Sequence, residues 1–96
     1  MNHFLVRLGN ARPELMTRAL VEAHVSWLWK LHQAGQLLLC GTCPDGTALL
    51  VLCCASQEDA VQLADSDPFK DVAAYSARSV SPFRMATPQN NFLLGG

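Results

Sequence analysis

The chain has 96 residues, half of them hydrophobic, with seven basic against eight acidic side chains. That length builds one domain around one core, and near-balanced charge without a basic cluster excludes nucleic acid and acidic membrane surfaces as partners. The longest apolar runs are strand-length, short of the roughly 20 residues that span a bilayer, and no charged-then-apolar leader precedes the first strand. Four cysteines, Cys40, Cys43, Cys53 and Cys54, are too few and too unevenly placed for a secreted disulfide framework. A reducing, cytoplasmic setting is expected.

Residues 3–8, rich in Phe, Leu and Val, read as a first strand. A break follows, and Pro13 suits the first turn of a helix running to about Ala34, where Gly35 is a left-handed terminator. Residues 36–40 give a second strand around Leu37-Leu38-Leu39. Cys43-Pro44-Asp45-Gly46-Thr47 is turn chemistry: Pro presets φ, Asp bonds backbone and Gly takes positive φ. So short a turn makes the third strand, 48–55, an antiparallel hairpin with the second. Ser56 then caps a second helix with Glu58 and Asp59 in its first turn. It ends near Ala64, because Pro68 forces Asp67 out of the helical region. Residues 75–81 are the fourth strand, closed by Pro82-Phe83.

The order β-α-β-β-α-β is the ferredoxin-like split, a four-stranded antiparallel sheet with two helices on one face. The bare face of such a sheet needs polar residues if it meets water. The run Ala48-Leu49-Leu50-Val51-Leu52-Cys53 is apolar on both sides, as is Leu37-Leu38-Leu39-Cys40. A second copy packed sheet to sheet is the expected cover, so the chain is expected to be a homodimer. The domain spans 1–84 and a tail spans 85–96. In that tail Phe92-Leu93-Leu94 packs on a neighbouring subunit or is disordered. The terminal Gly95-Gly96 is like a ubiquitin-type carrier tail by accident, since the chain lacks that fold's β-hairpin start.

On a helical wheel His24 falls with Leu20, Trp27, Leu28 and Leu31, while Glu22, Ser26, Lys30 and Gln33 collect opposite. A titratable ring inside a core-facing stripe needs a partner. Trp29 falls toward the polar side, as an oligomer contact or a singly exposed aromatic. His3 and His32 read as surface or edge positions.

The run from His24 to Gly41 carries a histidine, a helix ending in Gly and a leucine-rich strand running into Gly. With Asp67-Pro68-Phe69 and the closing Val80-Ser81-Pro82-Phe83, it resembles the YciI-like (YCII-related) family over about residues 3–84. The resemblance implies a dimeric α+β barrel, two ferredoxin-like protomers packed through their sheets. It also implies a His–Asp pair as the site, carried over to His24 and Asp67. Some related proteins dehydrochlorinate hydroxyquinol-type rings, and the wider superfamily includes lactone isomerases, monooxygenases and cyclases. The chain departs from the family pattern in having Gly41-Thr42 for Gly-Pro, a shorter hairpin, and Arg78 where an uncharged residue is common.

Asp67 can lie beside the first helix because both helices pack on one sheet face. A carboxylate on one imidazole nitrogen fixes the tautomer and frees the other nitrogen for proton transfer. The alternative is a satisfied buried contact that locks helix to helix. Arg78 is either an anchor for a substrate anion or an ordinary ion pair. Phe4, Trp27 and Phe69 are expected as apolar walls that exclude water, and Ser66 and Asp65 as neighbours that orient a ligand. Tyr75 reads as core or pocket wall.

Cys40-x-x-Cys43 has metal or redox spacing, but Cys53 and Cys54 point to opposite faces of a strand and cannot complete a zinc site. No cofactor and no metal are expected. The function expected is acid/base chemistry, elimination or isomerisation, on a small cyclic or aromatic oxygenated substrate. The alternative is a non-catalytic ligand-binding or assembly module.

Overall fold

A computed structural model of the chain describes residues 2–90. The first helix does not begin at Pro13. A 3-10 turn, Pro13–Leu15, precedes α1, Arg18–Gln33, and Thr17 separates them in extended conformation. The Thr17 hydroxyl accepts from the Leu20 amide at 3.2 Å, satisfying one of the free donors of the first helical turn. That cap starts the helix one turn later than the proline suggests. At the other end Gly35 sits at φ +72°, and the Gln36 amide donates to the Leu31 carbonyl at 2.9 Å. This Schellman closure turns the chain directly into the next strand.

The strands are β1, Asn2–Ala11; β2, Leu37–Thr42; β3, Ala48–Cys54; and β4, Tyr75–Phe83. They form one sheet in the order β2-β3-β1-β4, every pair antiparallel, the ferredoxin-like arrangement. Asp45 closes the β2–β3 hairpin by accepting from the Thr47 amide at 3.1 Å, and Gly46 takes φ +85°. The second helix, α2, spans Gln57–Asp65, with the Ser56 hydroxyl accepting from the Asp59 amide at 3.1 Å. Pro82 is tolerated within β4 because that strand lies at the edge of the sheet.

The sheet has two apolar faces. On the helix side Phe4, Val6 and Leu8 from β1 and Leu50, Leu52 and Cys54 from β3 pack with Leu31 of α1 and Ala60 and Ala64 of α2. Alternation puts Leu5, Leu49, Val51 and Cys53 on the other face, with Leu39 of β2 beside Val51. Leu39 is 49% exposed and Leu38, at a register shift in β2, 42%. Cys40 lies in this edge strand and is exposed. His3, read as a surface or edge residue, is half-buried in the inner strand β1.

Residues 87–90 fold back locally, the Asn90 side chain donating to the Met85 carbonyl at 3.0 Å. The segment expected to pack on a neighbour or to be disordered, 92–94, and the terminal glycine pair lie outside the described residues. No helix among the described residues is long and apolar enough to cross a membrane.

Candidate functional site

A proline three residues beyond a helix end does more here than stop the helix. After α2 the chain enters a second 3-10 turn, Pro68–Val72, and Asp67 is its N-cap, accepting from the Phe69 amide at 2.9 Å. This turn packs against α1 and delivers the carboxylate into the protein, where Asp67 is only 1% exposed. Its Oδ1 also meets His24 Nδ1 at 2.8 Å. Its Oδ2 accepts from Arg78 Nη2, again at 2.8 Å.

Arg78 reaches Asp67 because the β1–β4 register sets it opposite Leu8, on the helix side of the sheet. Its Nη1 donates at 3.1 Å to the Ala64 carbonyl in the last turn of α2, which also accepts from the Asp67 amide at 3.2 Å. The guanidinium therefore ties β4 to the end of α2 and to Asp67. Its Nε is sealed from solvent and has no hydrogen-bond partner.

Burial alone would push the Asp67 carboxyl upward. Hydrogen bonds from His24, Arg78 and the Phe69 amide outweigh it and hold the group below its ordinary value. The carboxylate is thus kept charged, with His24 Nδ1 as the donor toward it. The imidazole lies flat against Phe69, ring centres 4.1 Å apart and planes within 10°, and Trp27 leans on it at 5.6 Å. The Trp27 Nε1 donates to the Ser66 hydroxyl at 2.8 Å, and Ser66 in turn bonds the Leu63 carbonyl. The ring is fixed by packing as well as by its hydrogen bond.

His24 Nε2 has no partner among the described residues, and His24 lines a cavity of about 90 Å³ with Leu8, Leu28, Leu50, Cys40 and Tyr75. The arrangement is an oriented imidazole, one nitrogen held and the other unpartnered, on the wall of a largely apolar hollow, able to take a proton and return it.

Of the residues singled out in the sequence, the structure brings together His24, Asp67, Arg78, Trp27, Phe69 and Ser66. Arg78 and Ser66 are engaged by other protein groups rather than turned toward the cavity. Asp65 pairs instead with Lys70 at 3.4 Å, at the surface. Phe4 is not brought to His24. It lies four residues from Leu8 on β1, about 13 Å along the strand, and lines a separate hollow with Pro82, Phe83 and Met85. Cys43 is exposed in the hairpin turn. Tyr75, read as core or pocket wall, lines the cavity, and so do Cys40 and Thr42, to which sequence reasoning assigned no role in this site. Alternation along β2 puts Cys40 and Thr42 on one face, the only signal the sequence carries for them.

No curated protein sequence matches the chain significantly. Among solved structures it is similar to the 5-chloro-2-hydroxyhydroquinone dehydrochlorinase TftG of Burkholderia phenoliruptrix, in complex with 2,5-dihydroxybenzoquinone. The TM-score is 0.69 at 19% identity, over 88% of this chain and 95% of that one. At that identity the likeness establishes a shared fold. The sequence itself matches the YCII-related domain over residues 3–84, which covers every strand and both helices apart from the first residue of β1. The chain belongs to the YCII-related domain family.

Proposed function

We propose that this protein is an acid/base enzyme acting on a small cyclic or aromatic oxygenated substrate, by elimination or isomerisation. One observation carries the reading. A buried carboxylate holds His24 by Nδ1 and leaves Nε2 unpartnered on a residue that lines a mostly apolar cavity. In this reading Nε2 takes a proton from the substrate, and the electron pair left behind expels a leaving group such as chloride or reforms the ring's double bonds. Asp67 orients the imidazole and balances the charge it gains, as a triad carboxylate does. Arg78 and the Phe69 amide keep Asp67 ionised, while Phe69 and Trp27 hold the ring in place. The similarly folded TftG is a dehydrochlorinase with a dihydroxybenzoquinone bound, which supports a substrate of this size and oxygenation. The test is release of chloride from chlorinated hydroxyhydroquinones by the wild-type protein and its loss in a His24→Gln variant.

A second reading, a structural lock with no chemistry, draws on the near-complete burial of Asp67 and its capping of the Pro68–Val72 turn. The two readings separate on whether His24 governs turnover or stability.

The protomer is also proposed to work as a sheet-to-sheet homodimer. Leu5, Leu39 and Leu49, partly or largely exposed, give the face away from the helices an apolar centre that a second copy would cover. Light scattering at micromolar concentration is expected to return about twice the 10.5 kDa chain mass. A mass of one chain at that concentration would contradict it.

A further inference from the structure

The hollow beside His24 holds a second polar group whose hydrogen-bonding capacity is unused. Tyr75, the first residue of β4, is 8% exposed and lines that hollow together with His24. Its ring lies 6.1 Å from Phe69, the ring that stacks on the imidazole. Its hydroxyl has no hydrogen-bond partner among the described residues, where buried tyrosines ordinarily find one. Among the described residues the side-chain nitrogen or oxygen both sealed from solvent and unpartnered is Arg78 Nε alone. The Tyr75 hydroxyl is therefore not sealed, and its residue lines the same cavity as His24.

We infer that Tyr75 is the second contact of this site, donating its hydroxyl hydrogen to an oxygen of a ring whose other oxygen function faces His24 Nε2. The inference rests on the acid/base reading and narrows its substrate to rings carrying two oxygen substituents. Where the oxygen held by Tyr75 is a carbonyl conjugated with the position that Nε2 deprotonates, the electron pair left on the substrate delocalises onto that carbonyl oxygen. The tyrosine hydrogen bond stabilises that charge without giving up its proton. The charge is discharged when a leaving group departs with the pair or when His24 returns the proton at another ring position. Burial, with a smaller contribution from the Asp67 charge, pushes the phenol upward, so Tyr75 stays protonated as a donor at neutral pH. The remaining cavity wall is chiefly Leu8, Leu28, Ala48 and Leu50, which suits a flat ring. At about 90 Å³ the hollow is smaller than the ~150 Å³ cavity that takes up benzene. A ring therefore fits the hollow only in part, with the rest of it lying outside.

The test is equilibrium binding of phenol and of the three benzenediols (catechol, resorcinol and hydroquinone) to the wild-type protein and to Tyr75→Phe. The substitution keeps the aromatic ring and removes only the hydroxyl. Wild type is expected to bind the best diol about tenfold more tightly than phenol, as one added hydrogen bond gives. In the variant the ratio falls to about one, with phenol affinity unchanged. A ratio preserved in Tyr75→Phe would overturn the inference, as would the absence of binding of any of the four to wild type. Because the readout is binding, it stands apart from turnover. A protein that discriminates the diols through Tyr75 but processes none of the chlorinated rings would sink the enzymatic reading and leave the binding site intact. Loss of turnover in His24→Gln with no effect of Tyr75→Phe would sink this inference alone.

Discussion

Substituting His24 by glutamine is expected to lower turnover of a chlorinated hydroxyhydroquinone by about 10²- to 10⁴-fold, the span that a positioned general base supplies. Glutamine keeps a side-chain donor that can reach Asp67, so the buried carboxylate retains contacts from Arg78 and the Phe69 amide whether or not the new one forms. Thermal melting is expected to stay within a few degrees of wild type. The loss should fall on kcat rather than KM, because Nε2 acts on the reacting proton. A variant that melts far below wild type yet binds and turns over substrate normally would make the pair a structural lock. Wild-type protein inert toward the whole series of chlorinated rings would contradict the reading outright.

Truncating Asp67 to alanine is expected to be the most damaging single change for stability. It leaves the Arg78 guanidinium, with its side chain 16% exposed, facing no counter-charge, and frees His24 Nδ1 and the Phe69 amide of their acceptor. Breaking one side of a buried charge pair costs about 3–5 kcal/mol. At roughly 4–8 °C per kcal/mol for a domain of this size, the melting temperature should fall by more than about 12 °C. Adding Arg78→Met should recover part of the loss, since the two residues share one interaction. Acid should reproduce the effect in wild type. Asp67 gives up its proton more readily in the folded protein than at its ordinary value of 3.8, so the folded state favours the ionised form. That contribution is fully present above about pH 4 and is lost as the pH falls through the lower, folded value. Urea melts of wild type and Asp67→Asn across this range should converge as the pH drops. Parallel curves would show that Asp67 contributes nothing to folding.

The order of elements was legible in the sequence because it rests on short-range signals. Gly35 after an amphipathic run, Ser56 ahead of two acids, and Pro44-Asp45-Gly46 between apolar strands each act within a few residues. The boundary at Thr17 was missed because Pro13 is also a sound helix start, and the choice between them depends on which cap the tertiary fold favours. His24 stood out for the same local reason, as an imidazole inside the stripe of Leu20, Trp27, Leu28 and Leu31.

What the sequence could not show is what meets across the fold. Arg78 reaches Asp67 only through the β1–β4 register, and nothing in its neighbours Ala77 and Ser79 announces that partner. For the same reason the choice between a substrate anchor and an ion pair was undecidable from sequence. Phe4 is an aromatic on the strand that passes beside His24, but strand length, invisible in an apolar run, sets it at the far end. Tyr75 reads as core or pocket wall in the sequence, and it is both buried and on the cavity wall. Only the unpartnered hydroxyl, a fact of three-dimensional packing, separates it from an ordinary wall residue.

The claim on which the rest depends is that Asp67 holds the His24 proton on Nδ1 and leaves Nε2 bare. Nitrogen-15 NMR of the imidazole ring, recorded where His24 is neutral, reads this directly without any substrate. The expected spectrum shows a protonated Nδ1 and an unprotonated Nε2 for His24, with that pattern lost in Asp67→Asn. A proton on Nε2 in the wild-type protein would contradict the account, because the nitrogen not held by Asp67 would then have no lone pair with which to take a proton.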